Sequence, residues 1–327
     1  MSLISLLIAL AAERYLSSSA WQFTYQFNHY FKLFNRLSAF GSPAKSLLAN
    51  GIFLFAPVIL CYLLLGLISD GLLHFIFSTI VLIGCFGCVR TRDTYKQYLM
   101  AAFRGEQTSC EMHHQQLQQE KKLPDMSFGQ MLVWLNYRYY IALMIFFILF
   151  GAAGALFYRL VCQINEGRSL AETEVDQSDT DSDEVVEVAQ ASVDHGDEVI
   201  EDSSVDTSSE QDQDTSDEND NSTDEKVDRF NQQLLFWLDV IPVRIVAFGY
   251  MLVGHFSRAM PIWLESLFDL GKVPQQLLIT VAQKSEDFMV DKEDCTAEPC
   301  LLVRLAKRCL LLCLAVIALL ILTGVMT

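Results

Sequence analysis

Charge is almost absent from four long stretches of this 327-residue sequence, residues 47–68, 71–89, 139–161 and 309–325. Each is close to the ~20 apolar residues that cross a hydrocarbon core of ~30 Å at ~1.5 Å of rise per residue. The chain therefore reads as an integral membrane protein. Its few intramembrane charges must face protein, water or the interface. Other features are missing outright. There is no G-x-x-x-x-G-K-[ST], no G-x-G-x-x-G opening a helix, no H-E-x-x-H and no G-x-S-x-G, so no nucleotide-hydrolysis or hydrolase site of familiar spelling is present. No catalytic nucleophile stands out and no cofactor is implied. No Lys or Arg precedes the apolar residues 1–12, so they are expected to be retained rather than cleaved as a signal peptide.

A disulfide framework is also lacking, although there are nine cysteines. Cys61, Cys85, Cys88, Cys162, Cys309 and Cys313 lie in or beside apolar runs, where a thiol packs as a small apolar group. Cys85 and Cys88 have a C-x-x-C spacing with no second pair nearby, which favours packing over metal or redox chemistry. Cys110, His113 and His114 share one helical turn and are a metal-ligand alternative, but no more distant ligand joins them. No metal is expected.

What is present divides into two materials. Between Glu172 and Asp228 there are 23 acidic residues against one Lys, while the whole chain carries a formal charge of -17, so the remainder is net basic. That segment has no Phe, Trp, Tyr, Leu or Met and cannot bury enough apolar surface to offset the entropy of ordering. It is expected to be a disordered, solvated linker. The carboxylate spacing of a calcium loop, with its turn glycine, is absent.

The organisation follows from the apolar runs and the flanking charge. Residues 1–46 form an apolar segment and a basic loop, 47–89 a transmembrane helical hairpin, 90–138 a helical loop, 139–171 a transmembrane helix, 172–228 the acidic linker, 229–308 a polar-striped membrane helix with the segment after it, and 309–327 a last span. Lys and Arg concentrate in the loops 13–46, 90–138 and 257–308, which places these in the cytoplasm. The acidic linker then falls outside, in the periplasm of a Gram-negative host. Consistency requires residues 236–256 to cross as well, despite Asp239, Pro242, Arg244 and His255; the alternative is a helix lying on the membrane surface. Residues 1–15 are short for a span and are re-entrant, interfacial or a short crossing. The fold class is all-α, a polytopic membrane helical bundle with four long and one or two weaker membrane segments.

Within 236–256, Asp239 is placed to cap a helix and Pro242 to sit in its first turn. At 100° per residue Arg244, Met251, His255 and Arg258 fall within about 40° of one direction. A charge in a membrane helix costs ~2.5–3.5 kcal/mol on insertion scales, so this stripe should face a cleft or the bundle interior. Residues 131–140 read MLVWLNYRYY, an aromatic belt at a span entrance in which Trp134 and Arg138 can stack. Candidate ligand or partner residues are therefore Glu13, Arg14, Trp134, Asn136, Arg138, Asp239, Arg244 and His255.

Three blocks carry a resemblance: Glu13-Arg14 with Trp21, the run from Leu132 through Trp134, Asn136 and Arg138 to Tyr140, and Trp237-Leu-Asp239-Val-Ile-Pro242-Val-Arg244, continuing through His255 to Trp263. With a single apolar span at the end, they make the chain similar to the AmpE family of inner-membrane regulators of β-lactamase induction. That family sits in a wider cobalamin-synthase-like group with adenosylcobinamide-phosphate synthase. The resemblance implies a sensor or transmitter of the state of cell-wall recycling in the bacterial inner membrane, more a regulator than an enzyme. Its partners would be the lipid bilayer and an amidase-pathway component or an anionic cell-wall-derived ligand. The alternative is a membrane synthase of the cobalamin type. The basic residues are dispersed along loops, as membrane anchoring requires, and imply no nucleic acid.

Overall fold

The computed structural model describes residues 2–15, 23–37, 46–68, 70–86, 89–178, 217–269, 271–286 and 296–324. Among these every regular element is helical: α1 (Ser2–Tyr15), α2 (Phe23–Leu37), α3 (Leu47–Leu67), α4 (Gly71–Cys85), α5 (Val89–Phe103), α6 (Gln107–Lys121), α7 (Phe128–Asn136), a π-helical turn (Tyr137–Ile141), α8 (Ala142–Ser178), α9 (Asp217–Val253), α10 (Phe256–Phe268), α11 (Pro274–Lys284) and α12 (Ala297–Leu322). The centre of the acidic linker, residues 179–216, lies outside the described residues, as do Cys88 and the side chain of Arg14.

The middle of the molecule is the continuous run α7, π-turn and α8. It starts at a capping box: Ser127 Oγ accepts from Gln130 N at 3.3 Å and the Gln130 side chain accepts from Ser127 N at 3.1 Å. This satisfies helix-end donors that hydrocarbon would otherwise strand. From Met131 onward the run is buried almost all round, with Val133, Tyr137, Ile141, Leu143 and Met144 fully inside. By contrast α3, α4 and α12 leave Leu63, Leu67, Leu72, Leu319 and Leu322 exposed. A helix that is apolar on every side and covered on only one has its other side in lipid.

Among the described residues four stretches are long and apolar enough to cross a membrane, Leu47–Leu67, Phe128–Glu166, Lys226–Val253 and Ala297–Leu322, or five if the bent pair Gly71–Cys85 and Arg90–Phe103 is one span. The third contains most of the stretch expected to span in spite of its polar residues. It turns Trp237, Ile241, Ile245, Phe248 and Leu252 outward and buries Val243, Val246, Ala247 and Tyr250, a lipid face and a core face at helical spacing.

The second stretch is not straight. Its 39 residues would extend ~58 Å, about twice a bilayer core. Instead the backbone breaks at Gly151, with φ 68 and ψ -162, a conformation open essentially to glycine alone. The chain then folds back on itself. Phe146 and Tyr158 stack at 4.7 Å between ring centroids, and Tyr139 OH donates to Glu166 at 2.7 Å. Residues that a straight helix would hold far apart thus meet, and 142–150 and 152–166 are the arms of a tight antiparallel hairpin. This corrects the single outward crossing read from 139–161. The chain returns to the end from which it entered, which removes the basis for putting the acidic linker on the opposite side from residues 90–138.

Two further expectations are corrected. Asp239 does not cap a helix and Pro242 is not in a first turn, because α9 begins at Asp217; the polar flank 217–235 continues the helix that hydropathy alone would start near 236. The stripe through Arg244, His255 and Arg258 is broken, because α9 stops at Val253 and the chain reverses at Gly254 and His255 into α10. A Cβ on Gly254 would overlap the Ser285 carbonyl oxygen, and His255 N donates to the same carbonyl at 2.7 Å. The reversal is thereby pinned against the end of α11.

Polar clasps tie the bundle together. Asn50 of α3 and Asn231 of α9 bond side chain to side chain at 2.8 Å, and Ser5 of α1 bonds Thr79 of α4 at 2.7 Å. Asn165 Nδ2, near the end of the hairpin, donates to Asn231 O of α9 at 3.3 Å, so the two flanks of the acidic linker are held side by side. Cys110 is buried near the Tyr98 carbonyl and His114 bonds Met126 O at 2.8 Å. Among the described residues no group of His, Cys, Asp or Glu is arranged to hold a metal ion.

Candidate functional site

Where the hairpin closes, α6, α7, α9 and α11 leave a cleft of ≈ 360 Å³. Lys121 and Lys122 come from the end of α6, where Lys122 takes a left-handed conformation with φ 47 and ends the helix. Trp134 and Arg138 come from α7 and the π-turn, Asn165 and Glu166 from the returning arm, Gln232, Leu235, Phe236 and Asp239 from α9, and Val273, Pro274 and Gln275 from the start of α11. Three cations therefore face two carboxylates. The π-turn matters here because its bond from Ala142 N to Tyr137 O inserts one extra residue and rotates the side chains that follow it, a distortion common at functional sites.

Glu166 is the hub. Its carboxylate accepts from Tyr139 OH at 2.7 Å and lies 3.4 Å from Lys121 Nζ and 3.6 Å from Arg138 Nη1. Arg138 in turn lies over the Trp134 ring at 5.0 Å, the stacking that their spacing predicts. Asp239 is met differently, by two phenols: Tyr137 OH donates at 2.7 Å and Tyr158 OH at 2.8 Å. Behind them Arg159, 2 % exposed, lies over the rings of Tyr139 at 4.5 Å and Phe23 at 5.0 Å. Buried polar atoms with no hydrogen-bond partner gather in this region: Trp134 Nε1, Asn136 Oδ1, Arg138 Nε, Arg159 Nε and Nη1, and Gln163 Oε1. Native interiors leave few such atoms, so a cluster of them calls for a bound group or a functional reason.

Of the eight residues singled out from the sequence, the structure brings Trp134, Arg138 and Asp239 into one cleft. Asn136 lies next to them in the chain but does not line it. Glu13 sits apart, accepting from Tyr140 OH at 2.6 Å and paired with Arg92 at 3.8 Å. Arg244 bonds the carbonyls of Val240, Ser266 and Asp269 at 2.7, 3.1 and 2.9 Å, so it closes the end of α10 rather than lining the cleft. His255 holds the reversal after α9, with Nδ1 3.3 Å from Ser285 O. Glu166, Lys121 and Arg159 were not singled out. A signal for two of them was present: Arg159, Gln163 and Glu166 recur at helical spacing at the end of an apolar run, where an ionisable residue points to function.

The family model of the regulatory signalling modulator protein AmpE matches residues 1–166 and 218–327. This chain belongs to the AmpE family. The match stops at the hub Glu166, resumes just inside α9 and omits residues 167–217, most of the acidic linker. A curated relative, Protein AmpE of Shigella flexneri, is 37% identical over 89 residues, which are 27% of this chain and 30% of that protein. The chain thus matches less than a third of the relative's length. No solved structure matches significantly. Family membership and the long apolar helices together make the chain a multi-pass membrane protein of a regulatory signalling family.

Proposed function

We propose that the chain is an inner-membrane regulator of β-lactamase induction that responds to the state of cell-wall recycling, and that the cleft around Trp134, Arg138, Glu166 and Asp239 is its sensing site. One observation carries this reading: the charged cluster within the bundle is a cleft, not a sealed core, and it has more cations than carboxylates. A cluster that served only to tie helices together would be matched in charge, since an unpaired buried charge is costly. A regulator needs an opening so that a ligand or partner can bias it. The ligand would be an anionic cell-wall-derived molecule or a component of the amidase pathway. The basic loop 90–138 and the acidic linker both lie on the cytoplasmic side in this reading.

The test is induction in a Gram-negative reporter strain whose own gene is replaced by variants of this chain. Losing a charge-assisted contact of ~1.5–3 kcal/mol weakens ligand occupancy by roughly 10- to 100-fold. Arg138→Ala and Trp134→Ala should therefore abolish the change in β-lactamase level that a β-lactam produces, with undiminished protein in the membrane fraction. Wild-type induction by both variants would exclude the cleft as the sensing site.

A further inference from the structure

We infer that the cleft binds an oxyanion, carboxylate or phosphate, borne on an amphipathic molecule, with Arg138 as its main counter-ion and Trp134 as a neutral donor. This rests on the cleft being the sensing site and names the chemistry it senses.

The local bonds favour an anion. The Glu166 carboxylate is tied closely to Tyr139 OH at 2.7 Å, but its contacts with Arg138 and Lys121 are 3.6 and 3.4 Å. Tight charge-assisted bonds are ~2.7–2.9 Å. The strong hold on Glu166 is therefore a phenol, and an incoming oxyanion can take the guanidinium without releasing Glu166 from Tyr139. Arg138 Nε and Trp134 Nε1 have no partner although both residues are more than nine-tenths buried. Both are donors with no acceptor character, so the atoms awaiting a partner on the cleft-lining side chains call for an acceptor. Lys122 adds a third cation at the rim. A cation would meet these charges with repulsion, and a neutral ligand would leave their excess in place.

The rest of the lining describes what carries the anion. Leu235, Phe236, Val273 and Pro274 offer apolar contact, while Asn165, Gln232 and Gln275 offer amides. The ≈ 360 Å³ volume is at the small end of ligand sites, ~300–1,000 Å³. Phe236 is followed on α9 by the outward-facing Trp237 and Ile241, 66% and 67% exposed, so the cleft borders the lipid-facing surface. The oxyanion can accordingly come from a phospholipid headgroup or from a soluble molecule.

The experiment uses the full chain in phosphatidylcholine nanodiscs and titration calorimetry with an N-acetyl dipeptide bearing a free carboxylate, with its carboxamide, and with phenyl phosphate. At least one of the two anions should bind, and the carboxamide should bind at least tenfold more weakly than whichever anion binds. Arg138→Ala should weaken anion binding ~10- to 100-fold. Trp134→Phe, which keeps the stacked ring and removes the N–H, should weaken it severalfold with unchanged thermal stability. Nanodiscs with phosphatidylglycerol separate the sources: a headgroup ligand would block the soluble anions in the wild type but not in Arg138→Ala, and a soluble ligand would bind in both lipids.

A carboxamide that binds as tightly as the anions overturns the inference, as does wild-type binding by both variants. So does the absence of anion binding in phosphatidylcholine together with no Arg138-dependent binding of phosphatidylglycerol. The two readings fail separately. Defective induction in Arg138→Ala without any anion binding sinks this inference alone, and anion binding lost in a variant that still induces sinks the sensing role.

Discussion

Glu166 and Asp239 show how differently two buried carboxylates can be held within one cleft. Glu166 faces Lys121 and Arg138, so deleting it strands cations in a low-dielectric interior; Asp239 is held by the hydroxyls of Tyr137 and Tyr158. Breaking one side of a buried ion pair costs ~3–5 kcal/mol. Glu166→Leu should consequently lower the unfolding temperature in detergent by several degrees or more. Asp239→Asn keeps an oxygen that accepts both phenolic protons and should shift it much less. A thiol-reactive dye reads the transition well, because Cys85, Cys162 and Cys309 are buried. Equal shifts in the two variants would mean that the cations near Glu166 find other partners.

At the scale of elements, the hairpin at Gly151 is the feature that shapes the site. Gly154 lets its arms touch: a Cβ there would overlap the Cβ of Phe150 and lie 2.9 Å from Phe146 O, whereas at Gly66 it would meet nothing within 4 Å. Gly154→Ala should reduce the folded yield in membranes severalfold and Gly66→Ala should leave it near wild type, as judged by gel filtration of detergent extracts. A monodisperse, normally abundant Gly154→Ala protein would show that the arms are looser than they look. The sequence makes the helices legible because hydrophobic length and period are local properties. It does not reveal the reversal at Gly151, because 139–161 has the length of one crossing and glycine in a membrane run is unremarkable. Trp134 and Arg138 were legible as a stacked pair four residues apart. Their union with Glu166 and Asp239 was not, since it depends on the folding back of α8 and on an α9 that starts well before its apolar part. The supposed stripe failed for a related reason: angles on a helical wheel hold only while the helix continues, and α9 stops before His255.

For the whole molecule, the hairpin sets sidedness. Residues 138 and 166 lie at one end of the bundle, joined through the Arg138–Glu166 contact at 3.6 Å, so the linker after α8 should emerge on the same side as residues 90–138. Single cysteines placed at Ser182 and Ser109 in a background free of reactive thiols should react, or fail to react, with an impermeant maleimide together in intact spheroplasts. Labelling of one and not the other would restore a single crossing over 139–161.

The bond between Asn165 and Asn231 has one last consequence. Because the chain is already clasped on both sides of the acidic stretch, continuity of the polypeptide there adds little to what keeps its two parts together. Residues 1–178 and 217–327, made as separate polypeptides in one cell, should find each other in the bilayer and co-purify on a tag carried by either. The covalent chain would then serve to keep the two portions in equal number, and its composition could drift while the clasped helices stayed in place.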